Sequence, residues 1–264
     1  MNIIVFLKQV PDIETQIRIT EDKSSIVKDD IKWIINPYDE FAIEEALRIK
    51  EKFGGEVTIV SAGPKRVVES IRTALAMGAD KGILINDPAL DDSDSLAYAK
   101  VLSQAVKDLP YDILFTGQRG VDDDNGIVGA AIAEFLGIPH LAVVTKVEIS
   151  DDQKKVKVHR PVEGQTWVME APLPALITAQ KGLNEPRYAS LPGIMKAKKK
   201  PLEEKTLQDL GLDVSEFGKD KRRLKIVELN PPPERKPGKI IDGETPEEKA
   251  EKLAKLLHEE AKVI

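Results

Sequence analysis

The sequence predicts an α/β fold: a parallel sheet flanked by helices, then an antiparallel hairpin and a C-terminal extension. Two features of the 264 residues carry this expectation. Short, continuous apolar runs alternate with helical patterns through the first half, as βαβ units require. After about residue 150 the texture changes to polar–apolar alternation. Continuous apolar runs suit strands buried on both faces, whereas alternation suits strands with one wet face.

In order, strands are expected at 3–8 (IIVFLK), 56–62 (EVTIVSA), 82–86 (GILIN), 112–117 (DILFTG) and 141–149 (LAVVTKVEI). Helices are expected near 37–53, 64–78, 92–109 and 125–137. The first helix carries its own boundaries: Asn36 can cap it, Pro37 suits its first turn and Gly54-Gly55 ends it. Phe41, Ala42, Ala46, Leu47, Ile49 and Phe53 form its buried stripe. KKVKVHRPVEG and QTWVMEA read as a hairpin, and PALITAQ as a further strand. The stretch 181–201 has no sustained period and reads as a long structured loop. A short helix (203–210), a strand (223–229), the connector PPPERKPGK and an amphipathic helix from Pro246 to Ala261 follow. A Pro-rich connector before a Leu-striped helix reads as an arm that docks elsewhere.

Composition narrows the function. With 41% hydrophobic and 32% charged residues the chain can bury a core beneath a well-solvated surface. A net charge of −6 gives no reason to expect nucleic acid as a partner. The absence of cysteine excludes disulfides, thiolate metal sites and cysteine nucleophiles. No segment approaches the length of a membrane span and no leader precedes the first strand, so a cytoplasmic protein is expected. The three histidines are scattered without metal-ligand spacing, so no metal site is expected. The nucleophile-elbow, P-loop and G-x-G-x-x-G patterns are all missing. No catalytic apparatus is legible.

Ligands on parallel sheets sit at the carboxyl ends of strands, which directs attention to the loops after Lys8, Ala62, Asn86 and Gly117. SAGP (61–64) opens a helix and can offer free N–H groups; it can equally be an ordinary tight turn. TGQRGVDDDNGIVG (116–129) places Gly126 and Gly129 at the start of another helix, where a ligand can approach the backbone; capping by Asp124 or Asn125 is the plainer reading. NPYD (36–39) can join the two, and three converging loops favour a nucleotide pocket. Asp122, Asp123 and Asp124 pose a difficulty, because three carboxylates repel phosphate. They do not suggest a metal, since three consecutive side chains cannot all face one ion.

These residues resemble a known family. VFLKQVPD, NPYDEFAIEEALRIKE, SAGP, TALAMGADKGI, GQRGVDDD, PALITA and above all LNEPRYASLPGIMKAKKKP are similar to successive hallmarks of the electron transfer flavoprotein beta subunit, along the whole chain. The resemblance implies a Rossmann-like (adenine nucleotide alpha hydrolase-like) nucleotide-binding domain over 1–200. The arm, 201–264, would pack on an alpha subunit that holds most of an FAD. In this family the beta subunit's own pocket holds AMP, or a second FAD in electron-bifurcating members. The matching positions are Phe6; Asn36, Pro37, Tyr38 and Asp39; Ala62; and Gly117, Gln118, Arg119, Gly120, Val121, Asp122, Asp123, Asp124, Asn125, Gly126, Ile127 and Val128. Tyr38 stands where the family places an aromatic against the flavin ring, while Ile13 replaces a tyrosine found in some members.

The stretch 183–200 resembles the family's recognition loop, in which a leucine, here Leu191, inserts into a pocket on a partner dehydrogenase. Pro192, Ile194 and Met195 surround it, and Lys196 and Lys198, with Lys199 and Lys200, would steer toward an acidic partner. The role implied is that of an electron carrier, not an enzyme. It would pass electrons from acyl-CoA or related dehydrogenases of fatty acid oxidation to a quinone-reducing or other acceptor oxidoreductase, membrane-associated in some cases. Two stretches depart from the family pattern. VEGQTWV has Gln165 for a second glycine and Trp167 near an expected acid, and NGIVG (125–129) matches neither the AMP-type nor the bifurcating phosphate loop. A nucleotide-hydrolysing enzyme of the same fold is the rival reading; SAGPKR, with its proline and no acid, argues against it.

Overall fold

Ile3, Val5 and Leu7 belong to one buried cluster, and Ile4 and Phe6, between them, to another. A strand that alternates between two cores must lie inside a sheet covered on both faces. The structure, a computed structural model, describes residues 1–233 and 237–264. Its elements are β1 (Asn2–Phe6), β2 (Gln9–Pro11), β3 (Trp33–Ile35), α1 (Pro37–Phe53), β4 (Glu56–Ala62), α2 (Val67–Met77), β5 (Lys81–Ile85), α3 (Ser95–Val106) and β6 (Ile113–Gly117). There follow α4 (Val128–Leu136), β7 (His140–Val144), β8 (Lys146–Ile149), β9 (Lys155–Val162), β10 (Gln165–Pro172), β11 (Ala175–Ala179), α5 (Leu191–Ala197), β12 (Leu202–Lys205) and α6 (Pro246–Leu256).

Seven strands form a parallel sheet in the order β12-β5-β4-β1-β6-β11-β7. Helices α1 and α2 cover one face, contributing Ile43, Leu47, Ile71 and Leu75 to its core. Helices α3 and α4 cover the other with Val101, Val106 and Ile132. β8, β9 and β10 make a separate antiparallel sheet, and β2 pairs with β3 in a small ribbon. The expected α/β architecture and hairpin are therefore present.

The chain divides into two units. The larger comprises Met1–Arg18 and Val27–Val227; the smaller comprises Ile19–Ile26 and Glu228–Ile264. The larger unit runs past residue 200 because Leu202–Lys205 supplies the sheet's edge strand beside β5. In the smaller unit Thr245 caps α6 by accepting from the Glu248 N–H at 3.2 Å. The helical path continues through Leu257–Ala261, as expected for the terminal helix. Residues 234–236 of the Pro-rich connector lie outside the described residues.

Four sequence expectations need correction. The run 141–149 is two strands in two sheets, parted at Thr145, and Val143, with a φ of +60°, sits at an irregularity within the first of them. Of the short helix expected at 203–210 only a 3-10 turn at Gln208–Leu210 forms: despite helix-forming side chains, 202–205 pair with β5, so tertiary context overrides propensity there. The alternating run 223–229 finds no neighbouring strand and stays irregular, with Leu224, Ile226 and Val227 exposed. The loop 181–201 contains a helix, α5, capped by Ser190.

The close approach of α4 to the sheet depends on Gly129. A Cβ there would lie 2.7 Å from Thr178 Cγ2 and 2.8 Å from Thr116 Oγ1. Overpacking of this kind costs about 1–3 kcal/mol, more than the gain in helix propensity in a first turn. Gly129→Ala is expected to lower the urea midpoint of unfolding; an unchanged or higher midpoint would show that the helix can lift without cost.

Candidate functional site

The strand order reverses at β1: β4 and β5 lie to one side, β6 and β11 to the other. Loops leaving β4 and β6 therefore diverge, and the crevice between them is where such sheets bind ligands. A cavity of about 280 Å³ opens there, floored by Phe6, Leu7, Lys8 and Gln9. Its walls come from 62–67, from Ser93, Ser95 and Tyr98, and from the loop between β6 and α4.

The first turn of α1 builds the floor. Asp39 is buried, and its carboxylate accepts from the Lys8 N–H at 2.6 Å and the Gly117 N–H at 2.8 Å. It thus joins the ends of β1 and β6 rather than serving its own helix. Gly117 is required by this approach, since a Cβ would lie 2.3 Å from Asp39 Oδ1 and 2.7 Å from Tyr38 Cβ. Asn36, expected as the cap, makes no capping bond. Its Nδ2 donates to Arg119 O at 2.9 Å and its Oδ1 accepts from the Val121 N–H at 3.1 Å, so it clamps the glycine loop. Tyr38 lies under the Arg119 guanidinium, 5.5 Å from the ring centroid, and its hydroxyl accepts from Arg119 Nη2 at 3.2 Å.

Each of the three aspartates has a cationic partner, though two cations serve three carboxylates. Lys8 Nζ reaches Asp122 Oδ1 at 2.7 Å and Asp123 Oδ2 at 2.9 Å. Burial alone would lower the Lys8 ammonium, but the two carboxylates outweigh it and hold the group above its ordinary value. Asp124 pairs with Arg119, whose Nη1 donates to Oδ2 at 3.0 Å. Asp123 also accepts from the Asn125 N–H, and Asn125 Nδ2 donates to Ser95 Oγ.

Both loops offer backbone donors. In SAGPKR the Gly63 N–H bonds to Ile85 O and the N–H groups of Val67, Val68 and Glu69 bond back to Pro64, Lys65 and Arg66, while those of Lys65 and Arg66 find no acceptor among the described residues. The helix expected from 125 begins only at Val128, without a side-chain cap, and Gly126 precedes it at φ +65°. There the N–H groups of Gly126, Ile127 and Val128 find no acceptor among the described residues. A helix N-terminus with free donors is an anion site in physical terms.

Of the residues expected here, Phe6, Asn36, Asp39 and Ala62 line the cavity. So do Gly117, Gln118, Arg119 and Gly120, with Asp123, Asn125, Gly126 and Val128. Pro37, Tyr38, Val121, Asp122, Asp124 and Ile127 do not; all lie beside lining residues, and Ile127 is exposed. Sequence reasoning missed Gln9 on β2, Arg66 just before α2, and Ser95 and Tyr98 on α3, which no motif singles out.

The second candidate region is 183–200. Leu191, Pro192, Ile194, Met195, Lys196 and Lys198 are all exposed on or beside α5. Lys200 is not a free steering charge: its Nζ donates to Leu75 O and Ala79 O at the end of α2. Arg72 Nη1 donates to Ala197 O and Lys200 O. Gly193 lets α5 sit against α2, because a Cβ would lie 2.3 Å from Ala76 O.

An electron transfer flavoprotein domain model matches residues 24–210. The electron transfer flavoprotein subunit beta of Bacillus subtilis is 46% identical over 265 residues, covering 100% of both chains. The chain belongs to the beta-subunit family of electron transfer flavoproteins. Proteins of the same name from Thermoanaerobacterium thermosaccharolyticum and Mus musculus are 42% and 40% identical. They cover 92% and 95% of this chain, and 93% and 95% of their own lengths. Membership brings an electron-transferring, flavin-dependent role. Among the described residues no helix is long and apolar enough to cross a membrane.

Asp39 gives the site a pH signature. Burial pushes its carboxyl up from 3.8 to about 7, against the lowering effect of the hydrogen bonds it accepts. A folded value above the unfolded one means that its contribution to stability is complete below 3.8 and is lost as pH rises through 7. Between pH 5 and 7.5 the wild-type protein should lose stability that Asp39→Asn does not lose. Urea melts of both proteins across that range check this, and parallel pH slopes would contradict it.

Proposed function

We propose that this chain is the beta subunit of a heterodimeric electron transfer flavoprotein, holding AMP in the cavity above β1 and completing an FAD site with an alpha subunit. The observation that carries the reading is the set of free N–H groups at Gly126–Val128, beside aspartates that are each already paired with Lys8 or Arg119. A phosphate there meets donors and the positive end of α4 without facing bare carboxylates. Cavity size points to a mononucleotide: about 280 Å³ lies at the lower edge of the usual range of about 300–1,000 Å³. Gln9 Oε1 and Gln118 Oε1, both buried at its wall, have no partner among the described residues and suit a ligand rich in amino and hydroxyl groups.

The FAD supplies the electron chemistry when bound. The chain's own part is to orient and to dock. Tyr38, its ring fixed by Arg119, stands beside the nucleotide loop as an aromatic wall for the flavin side. Leu191 is 80% exposed and Met195 73%, an unusual presentation for side chains on a well-anchored helix. They suit a single apolar anchor for a flavin dehydrogenase, with Lys196 and Lys198 for steering. Electrons would pass from acyl-CoA or related dehydrogenases to an acceptor oxidoreductase. α6, whose apolar face is uncovered within its own unit, would serve as the arm on the alpha subunit, and the complex would work in the cytoplasm.

Two measurements test the proposal. Denaturing the heterodimer purified after co-expression with its alpha partner should release FAD and AMP in equal amounts. Two FAD and no AMP would replace this reading with the bifurcating one, and robust ATP turnover by the isolated chain would replace it with the hydrolase. Leu191→Ala should slow electron acceptance from an acyl-CoA dehydrogenase about tenfold or more, as loss of an interface anchor does, with normal flavin content. Unchanged transfer kinetics would remove Leu191 from the docking role.

A further inference from the structure

The segment that presents Leu191 is held at both ends. After α5, Arg72 and Lys200 fasten it to α2, as described above. Before α5, Arg187 fastens it to α1. Arg187 Nε donates to Glu44 Oε2 at 2.7 Å, Nη2 to Glu44 Oε1 at 3.0 Å, and the backbone N–H to Glu44 Oε2 at 3.2 Å. Its outer edge reaches Glu51, with Nη1 donating to Oε1 at 2.5 Å and Nη2 to Oε2 at 3.2 Å. Glu44 is buried and also accepts from Arg48 Nε at 2.8 Å. Asn184 adds bonds from Nδ2 to Phe41 O and to Glu45 Oε2, both at 3.0 Å. Between these clamps Tyr188 is 98% exposed, and no hydrogen bond from its side chain is present among the described residues.

We propose that Arg187 is a positioning residue for partner docking, holding the segment 188–196 in its docking-competent form before any partner arrives. This rests on the reading of Leu191 as the anchor. An interface built on one apolar side chain has little area, so the entropy of ordering its loop weighs heavily against it. A guanidinium held by two carboxylates in a planar fork removes that cost in advance. Lysine could not do the same, because it cannot bridge Glu44 and Glu51 in a plane.

The test uses the heterodimer as electron acceptor for a butyryl-CoA-oxidising dehydrogenase, with flavoprotein concentration varied. Arg187→Ala alone leaves the buried Glu44 with Arg48 as its one cationic partner among the described residues, so the variant is Arg187→Gln with Glu44→Gln, which keeps shape and removes both charges. KM for the flavoprotein is expected to rise about tenfold with kcat within about twofold, and flavin content and reduction by dithionite unchanged. Arg187→Lys is expected to fall between. A KM like that of the wild type, or a fall in kcat and flavin content without a change in KM, would overturn the proposal. Should the double variant not fold, Glu51→Gln removes only the outer half of the clamp; it should raise KM about threefold, and no rise would overturn the proposal equally. Leu191→Ala in the same assay separates the two ideas. If it leaves KM unchanged, the docking reading itself fails. If it raises KM while the Arg187 variants do not, only the positioning role fails.

Discussion

The carboxylate of Asp39 accepts two backbone N–H groups that no strand can use, those of Lys8 and Gly117 at the carboxyl ends of β1 and β6. At a reversal of strand order the loops must part, and backbone donors just beyond the strands lose their ladder partners. Leaving such groups buried and unpaired costs about 1–3 kcal/mol each. Asp39 satisfies both, and in doing so sets the first turn of α1 against the cavity floor. The glycine at 117 follows from this, because no side chain fits beside Oδ1. Asn36 and Tyr38 are then in reach of Arg119 and Val121, and the rest of the loop inherits its position.

The same economy bears on the free helix donors that lie next to three acids. Carboxylates beside free helix N–H groups would compete with an anion. Here Lys8 spans Asp122 and Asp123 while Arg119 takes Asp124, so every acid is paired and only one negative charge is left over beside the backbone donors of 126–128. The acids serve to brace the loop: Asp123 closes a turn onto Asn125, and Asn125 ties it to Ser95 on α3. Pairing by residues far apart in sequence is what keeps the acids of DDDNGIVG from standing as bare carboxylates beside the helix start.

Much of this was legible in the chain, for identifiable reasons. The bounds of α1 match the expected 37–53 because Pro37 and Gly54 act locally, and β4 spans the expected 56–62 because a both-sides-buried strand has an unbroken apolar signature. Placing the cavity at the ends of β1 and β6 needed only strand alternation and the position of the glycines. What stayed hidden was non-local. Val143 carries no turn chemistry, yet takes a φ of +60° just before the chain passes from one sheet to another. LEEK looks helical and becomes an edge strand because β5 has an open side. RLKIVEL has strand periodicity and no strand to join. Asn36 sits at a cap position but spends its amide on a loop 83 residues away. Local signals name elements; partners for side chains come only with topology.

Helix α1 links the two functional regions, and its buried acids show how. Asp39, Glu44 and Glu45 are all buried, on a helix whose stability gains nothing from burying charge. Each carboxylate is turned to a different segment: Asp39 to the ends of β1 and β6, Glu44 to Arg187, Glu45 to Asn184. For Glu44, burial would raise the carboxyl, but the bonds from Arg187 and Arg48 outweigh it and hold the group below its ordinary value. Apolar residues at 39, 44 and 45 would pack α1 at least as well while leaving the glycine loop and the segment before α5 untethered. A 17-residue helix is a rod of about 25 Å, with the cavity at one end and the exposed leucine's mount along its side. Its acids therefore convert one rigid element into a fixed spacing between the loop that follows β6 and the segment that exposes Leu191, a constraint that another fraction of buried apolar area would not supply.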